Sequence, residues 1–246
     1  MTAFTLEICV DTVDVLDVCA TPMVDRIELC SALSAGGLTP SIGLMRSANS
    51  IREKTHAMIR PRAGDFVYGA RDIDVMRADI GAAKNAGLAG IVIGAATQER
   101  ELNIDVLGDL IRRAGGLCVT LHRVIDTLID PLAAIDIAAD LGISRILTSG
   151  KELTAMHGAD FIADMKQHAA GRIEIMAGSG VNATNLATLA AQTGIRAFHS
   201  SGGHSGMPPD DPFGLGSAGN PELVLGNISK MHAVLLGLNF GAYIPS

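Results

Sequence analysis

Three short apolar runs each carry one acid followed two residues later by sulfur: Leu6-Glu7-Ile8-Cys9, Ile27-Glu28-Leu29-Cys30 and Ile173-Glu174-Ile175-Met176. In an extended strand, residues i and i+2 share a face, so Glu7 with Cys9 and Glu28 with Cys30 point one way while their aliphatic neighbours point the other. An ionised carboxylate buried without a partner costs on the order of several kcal/mol, so these acids must meet cations, a metal or a polar substrate. The same parity, applied to other apolar runs, puts His56, Met58 and Arg60 on one face, pairs Thr120 with His122, and sets His199 opposite Phe198. The inward set is then Glu7, Cys9, Glu28, Cys30, Arg60, His122, Glu174, Met176 and His199.

That set supports two chemistries. Glu7, Glu28 and His122 suit proton transfer, with Arg60, Asp126 and His199 completing a catalytic group, while Arg60, Arg62 and Arg123 suit the grip of a carboxylate or phosphate. Structural readings stand beside these: Glu7 and Glu28 equally fit an ion-pair network with Arg60 or Arg62, and His56 and Glu174 lie deeper in their strands, where a structural role is simpler. Two glycine-rich segments, Ala177-Gly178-Ser179-Gly180 and Ser200-Ser201-Gly202-Gly203, offer Gly178, Gly180, Ser200 and Ser201 as a cradle for an anion, although a tight turn also explains them.

The elements that must position these residues alternate. Strand patterns over Phe4–Val10, Asp25–Cys30, Thr55–Arg60, Gly90–Gly94, Leu117–His122, Arg145–Ser149, Arg172–Ala177 and Ala197–Ser200 are each followed by a loop and a helical pattern. The helices are expected near Val13–Ala20, Ser41–Ser50, Asp72–Ala86, Asp105–Ala114, Pro131–Leu141, Thr154–Ala170, Asn182–Gln192 and Asn227–Leu238. Asp130-Pro131 supplies a start signal, and Gly87, Gly115, Gly142, Gly171 and Gly194 sit just past helix ends. Eight such repeats predict an α/β fold, a single (β/α)8 TIM barrel over residues 1–246 with an extended glycine- and proline-rich loop near 201–226. A doubly wound open sheet is the alternative, but no Gly-x-Gly-x-x-Gly turn follows the first strand.

Composition narrows the partners. A chain of 246 residues, 48% hydrophobic and with formal charge −7, has material for a large core and no basic stripe for nucleic acid. No run of eighteen apolar residues suggests a membrane span, and no basic segment with a long apolar run opens the chain, so a cytoplasmic protein is expected. Four scattered cysteines, Cys9, Cys19, Cys30 and Cys118, fit reduced thiols rather than a disulfide framework. Cys19 and Cys118 read as small buried hydrophobes.

The motifs Leu6-Glu7-Ile8-Cys9, Arg26-Ile27-Glu28-Leu29-Cys30, Gly36-Gly37-Leu38-Thr39-Pro40-Ser41, Ile59-Arg60-Pro61-Arg62, Gly64-Asp65-Phe66, Leu121-His122-Arg123 with Asp126, and Ile146-Leu147-Thr148-Ser149-Gly150 together resemble the CutC family of copper homeostasis proteins. The resemblance runs in order from Leu6 through Phe198-His199-Ser200. It implies a (β/α)8 barrel in the cytoplasm, a homo-oligomer (dimer or tetramer), and a role in copper tolerance or trafficking. Ala63 departs from the family's usual Gly, and Val124-Ile125 from its usual Ala-Phe. For copper, Cys9 and Cys30 are the expected ligands: they end adjacent parallel strands, and soft thiolates favour Cu(I) if the strand register lets both reach one ion. The rival expectation is an enzyme acting on a small anionic or phosphorylated metabolite, since a Cu(I) carrier has no evident need for Arg60, Arg62, His122, Arg123 and Asp126.

Overall fold

The computed structural model of the chain describes residues 4–203 and 219–239. Eight parallel strands close into one barrel in sequence order: β1 Thr5–Val10, β2 Arg26–Leu29, β3 Thr55–Met58, β4 Gly90–Ile93, β5 Cys118–Leu121, β6 Arg145–Thr148, β7 Glu174–Ala177 and β8 Ala197–Ser200. Around them run α1 Val13–Val18, α2 Ile42–Ser47, α3 Ala70–Asn85, α4 Ile104–Ala114, α5 Pro131–Asp140, α6 Ala159–Ala169, α7 Leu186–Thr193 and α8 Pro221–Asn239. This is a (β/α)8 barrel. The aliphatic residues of the strands, such as Leu6, Ile8, Ile27 and Leu29, pack outward with the helices in one continuous buried cluster, while Cys30, Met58 and Val92 form a separate small cluster inside the barrel.

Local chemistry explains where the helices depart from expectation. α6 starts at Ala159, because Gly158 packs against the backbone of Gly150, where a Cβ would clash, and this close approach forces the preceding segment into turns. α7 starts at Leu186 rather than near Asn182: Asn182 and Asn185 both donate their side-chain amides to the Gly180 carbonyl, and Asn182 Oδ1 accepts from Thr184 N. Side-chain turns thus replace the first helical turn. α8 begins earlier than expected, with Pro221 as its first residue. Most of the long loop expected near 201–226 lies outside the described residues, and its last part, from Pro221, is helix.

Parallel register decides which interior residues meet. Glu7 stands beside Arg26 on β2 and His199 on β8, and Cys9 stands beside Glu28, which in turn stands beside His56. On the far side, Thr120, Arg145 and Glu174 form a lateral row. No helix among the described residues is long and apolar enough to cross a membrane.

Candidate functional site at the barrel mouth

The C-terminal ends of the strands open on a cavity of about 450 Å³, where Cys9, Glu28 and His199 meet Arg60, Phe66 and His122. Glu7 lies beneath it, fully buried, and holds two cations at once: Arg26 Nε donates to its Oε2 at 2.5 Å and His199 Nδ1 lies 2.7 Å from its Oε1. Burial opposes charge on Glu7, yet the bonds from His199 and Arg26 prevail and hold its carboxyl far below the usual range. Arg26 reaches on to Met176 Sδ at 3.4 Å and to Glu174 at 3.7 Å. Glu174, expected to face a closed interior, sits instead at the half-exposed lower end of the barrel, bound to Arg145 at 3.0 Å.

His199 turns its second nitrogen toward two further groups. Nε2 lies 3.8 Å from Glu28 Oε2, and the imidazole also hydrogen-bonds Cys9. Burial alone would discharge the ring, but Cys9, Glu28 and Glu7 around it raise its pKa well above the ordinary value. Burial pushes Glu28 up, and the Glu7 charge adds to that. Burial likewise raises Cys9. Ligand atoms of Cys9, Glu28 and His199 all lie within 4.8 Å of one another, the one such thiol, carboxylate and imidazole group among the described residues.

The opposite wall is built from β3 and β5. Arg60 does not pair with Glu7 or Glu28; its Nη1 donates to the carbonyls of Ala35 and Gly37 and its Nη2 to that of Gly64, at 3.0–3.1 Å. His122 is buried against Phe66, with ring centroids 4.7 Å apart, and its Nδ1 accepts from Val124 N. Burial and the nearby Arg60 charge lower its pKa to about 3, so it is neutral at pH 7. Gly94, just past the strand between, makes room: a Cβ there would overlap the His122 ring.

Several residues singled out from the sequence stand elsewhere. Arg62 does not line the cavity; it clasps the loop after β3, donating to Asp65, Asp72 and the Val67 carbonyl. The Asp126 carboxylate accepts from Thr148 Oγ1, Ser149 N, Lys151 N and Arg123 Nε, tying the loops after β5 and β6 together, while Arg123 itself reaches the cavity wall. Gly178 continues the ladder to Thr148 and packs beside His199, whereas Gly180 and Ser201 border the cavity. Ser200 Oγ donates to the Val181 carbonyl and accepts from Gly202 N, knitting the last two loops. Cys30 faces inward one step above Glu28, with its thiol 3.5 Å from Glu28 Oε2, and is absent from the Cys9 ligand group. Cys9 stands beside Glu28 rather than beside Cys30, so the register offsets the two thiols expected to converge.

The residue missed from the sequence is Arg26. Its parity was legible, since it lies two positions before Glu28 and shares its face, but its pairing with Glu7 depends on register.

The model of the CutC family matches residues 4–204. The chain belongs to the CutC family. A CutC protein from Photobacterium profundum is 48% identical over 198 residues, covering 80% of this chain and 81% of the relative. One from Caulobacter vibrioides is 46% identical over 221 residues, covering 89% and 90% respectively. The crystal structure of CutC from Streptococcus agalactiae, a protein to which a copper-homeostasis role is ascribed, superposes with TM-score 0.77 at 30% identity over 80% of this chain and 98% of that one. A KDPGal structure at 12% identity and TM-score 0.63 shares the barrel fold alone. The family match covers both walls of the cavity, from Glu7 on β1 to His199 on β8.

Proposed function

We propose that this CutC protein serves copper homeostasis by binding copper at the barrel mouth, with Cys9 and His199 as principal ligands and Glu28 as the third. The observation that carries the reading is the convergence of a thiol, an imidazole and a carboxylate within 4.8 Å at a cavity wall. The donor chemistry fits: soft thiolate favours Cu(I), and imidazole is a copper ligand as well. Glu7 bonded to His199 Nδ1 fixes the ring so that Nε2 faces the ligand position, the arrangement that metal-binding histidines use, and copper binding there would release the Nε2 proton to solvent. The expected Cys9 and Cys30 pair is thereby revised to Cys9, His199 and Glu28. An anaerobic Cu(I) titration against a competing chelator tests this. Cys9→Ser should abolish the strongest site and His199→Gln should weaken it by about tenfold or more, while Cys30→Ser and Cys19→Ser leave it in place. Unchanged affinity in Cys9→Ser removes the proposal.

One observation favours a second reading, acid–base catalysis on a small anionic or phosphorylated metabolite. Glu7, His199 and Glu28 form a chain of titratable groups ending at the cavity, and Glu28 Oε1 is buried without a partner among the described residues. Such a chain can store and deliver a proton to a bound molecule. A thermal-shift screen of anionic metabolites separates the readings: stabilisation by an organic anion in a Cys9→Ser background supports the enzyme, and its absence alongside stabilisation by Cu(I) in the wild type supports the metal.

A further inference from the structure

The wall built from β3 and β5 takes no part in the proposed copper site, yet it carries two buried donors with nothing to bind. His122 Nδ1 accepts from Val124 N at 3.1 Å, so in the neutral ring the hydrogen sits on Nε2. That Nε2 is enclosed and has no partner among the described residues, and the same holds for Arg60 Nε. Three of the four terminal N–H groups of Arg60 go to the carbonyls of Ala35, Gly37 and Gly64, and no carboxylate among the described residues pairs with the guanidinium. A neutral N–H and a charged N–H thus lie at one cavity wall without an acceptor among the described residues, an arrangement rare enough in native proteins to call for a cause.

One side chain covers both. The Phe66 ring packs 4.7 Å from the His122 ring and lies under the Arg60 guanidinium, whose Cζ is 5.1 Å from its centroid. Phe66 is half-buried and itself borders the cavity. Its backbone is pinned, since its carbonyl accepts from Ala96 N at 2.9 Å and Arg62 clasps Asp65 and Val67 on either side. With its backbone held, the ring leaves the site by a change of its own side-chain torsions, which breaks its contacts with His122 and Arg60 and leaves the loop in place.

We infer that His122 and Arg60 form a binding site for the carboxylate of a small organic acid, shut in this structure by the Phe66 ring, which turns aside to admit the ligand. Two single N–H donors match the two oxygens of one carboxylate. With His122 neutral and Arg123 paired to Asp126, Arg60 is the cation that faces the ligand, so it balances the single charge of a carboxylate, whereas a phosphate dianion would bring a second charge with no counter-charge. The cavity beside the ring accommodates the remainder of the acid and places it across from Glu28. The inference stands on these contacts alone and is independent of the copper proposal.

The test uses the full chain with 15N-labelled histidine, free of added copper, and reads the ring nitrogens of each histidine by long-range 15N–1H correlation. His122 should appear as the neutral Nε2–H tautomer. Pyruvate should shift its Nε2 signal saturably, and inorganic phosphate at equal concentration should not. Phe66→Ala should bind pyruvate more tightly, because the ring no longer competes for the donors. Arg60→Lys, which keeps the charge but loses Nε, should weaken binding by about tenfold or more, the loss expected for a charge-assisted bond. Because Arg60 also holds three carbonyls, Phe66→Ala is the deciding variant if Arg60→Lys unfolds. An Nδ1–H tautomer, a response to phosphate but not to pyruvate, or no response to pyruvate in either wild type or Phe66→Ala overturns the inference.

Discussion

The two walls of the cavity each bury one histidine at the end of a strand, and the two rings carry opposite charge states. On the β1, β2 and β8 side, His199 is bonded to Glu7 and faces Glu28 and Cys9, and these groups hold it protonated against the pull of burial. On the β3 and β5 side, His122 is packed against Phe66 beside Arg60, and burial with that positive charge lowers its pKa to about 3. One wall is a store of exchangeable protons and a candidate metal cradle; the other is a fixed array of N–H donors. The difference lies in the neighbours, since the residue type is the same and both rings are buried at the same end of the barrel.

The largest test of this contrast is to remove the acid that anchors the charged wall. Glu7→Gln removes the charge bonded to both Arg26 and His199, leaving them the longer contacts to Glu174 at 3.7 Å and to Glu28 at 3.8 Å, and should cost about 3–5 kcal/mol in urea unfolding at pH 7. His122→Gln removes the bond accepted from Val124 N and the ring contact with Phe66, with no ion pair lost, and should cost about 1–3 kcal/mol. A smaller loss in Glu7→Gln than in His122→Gln would mean that the ion pair does not anchor its wall.

The pH dependence of stability should split the same way. An unfolded histidine takes up a proton near pH 6.5, whereas folded His122 resists until about pH 3 and folded His56 until about pH 4. The unfolded state therefore binds more protons below pH 6.5, and each such group lowers stability by up to about 1.4 kcal/mol per pH unit as pH falls through its window. Glu7, with its lowered pKa, adds stability present above about pH 4.5 and lost as pH falls through its folded value. His199 acts in reverse: its raised pKa contributes stability fully present below about pH 6.5 and lost as pH rises through the folded value. Unfolding free energies across pH should accordingly show a shallower acid limb in His122→Gln and a shallower alkaline limb in His199→Gln. If both variants alter the same limb, the two walls are not opposed.

The smallest effect concerns the glycines that seat the rings. A Cβ at Gly94 would overlap the His122 ring and the Val124 side chain, so Gly94→Ala should cost about 1–3 kcal/mol through overpacking. A Cβ at Gly178 would stand 2.6 Å from the tip of Leu147, which can turn away, and 3.3 Å from His199, so Gly178→Ala should cost less. Histidine ring signals should move chiefly for His122 in the first variant and only slightly for His199 in the second.

The barrel was legible because its signals are local. Alternation of strand and helix, glycine stops after helices and the parity of the pleat are all written in short windows, and parity alone put Glu7, Cys9, Glu28, His122 and His199 on the inner face. Helix starts were less so: the Asn182 and Asn185 turns and the packing of Gly158 on Gly150 delay α7 and α6 through contacts that periodicity does not carry.

By itself, then, the sequence determined a (β/α)8 barrel with acids, thiols, histidines and an arginine facing its interior, because face and period follow from backbone geometry residue by residue. Tertiary structure decided who meets whom. Register in a closed, sheared sheet is a property of the whole ring of strands, and it set Cys9 beside Glu28 instead of Cys30 and gave Glu7 the unexpected cation Arg26. It also spent the Arg62 and most of the Arg60 donors on loop carbonyls and acids, which no spacing rule anticipates. The second ring proton on His199 and its absence on His122 were decided last, since a pKa answers to the charges and burial that surround a group only after the chain has closed.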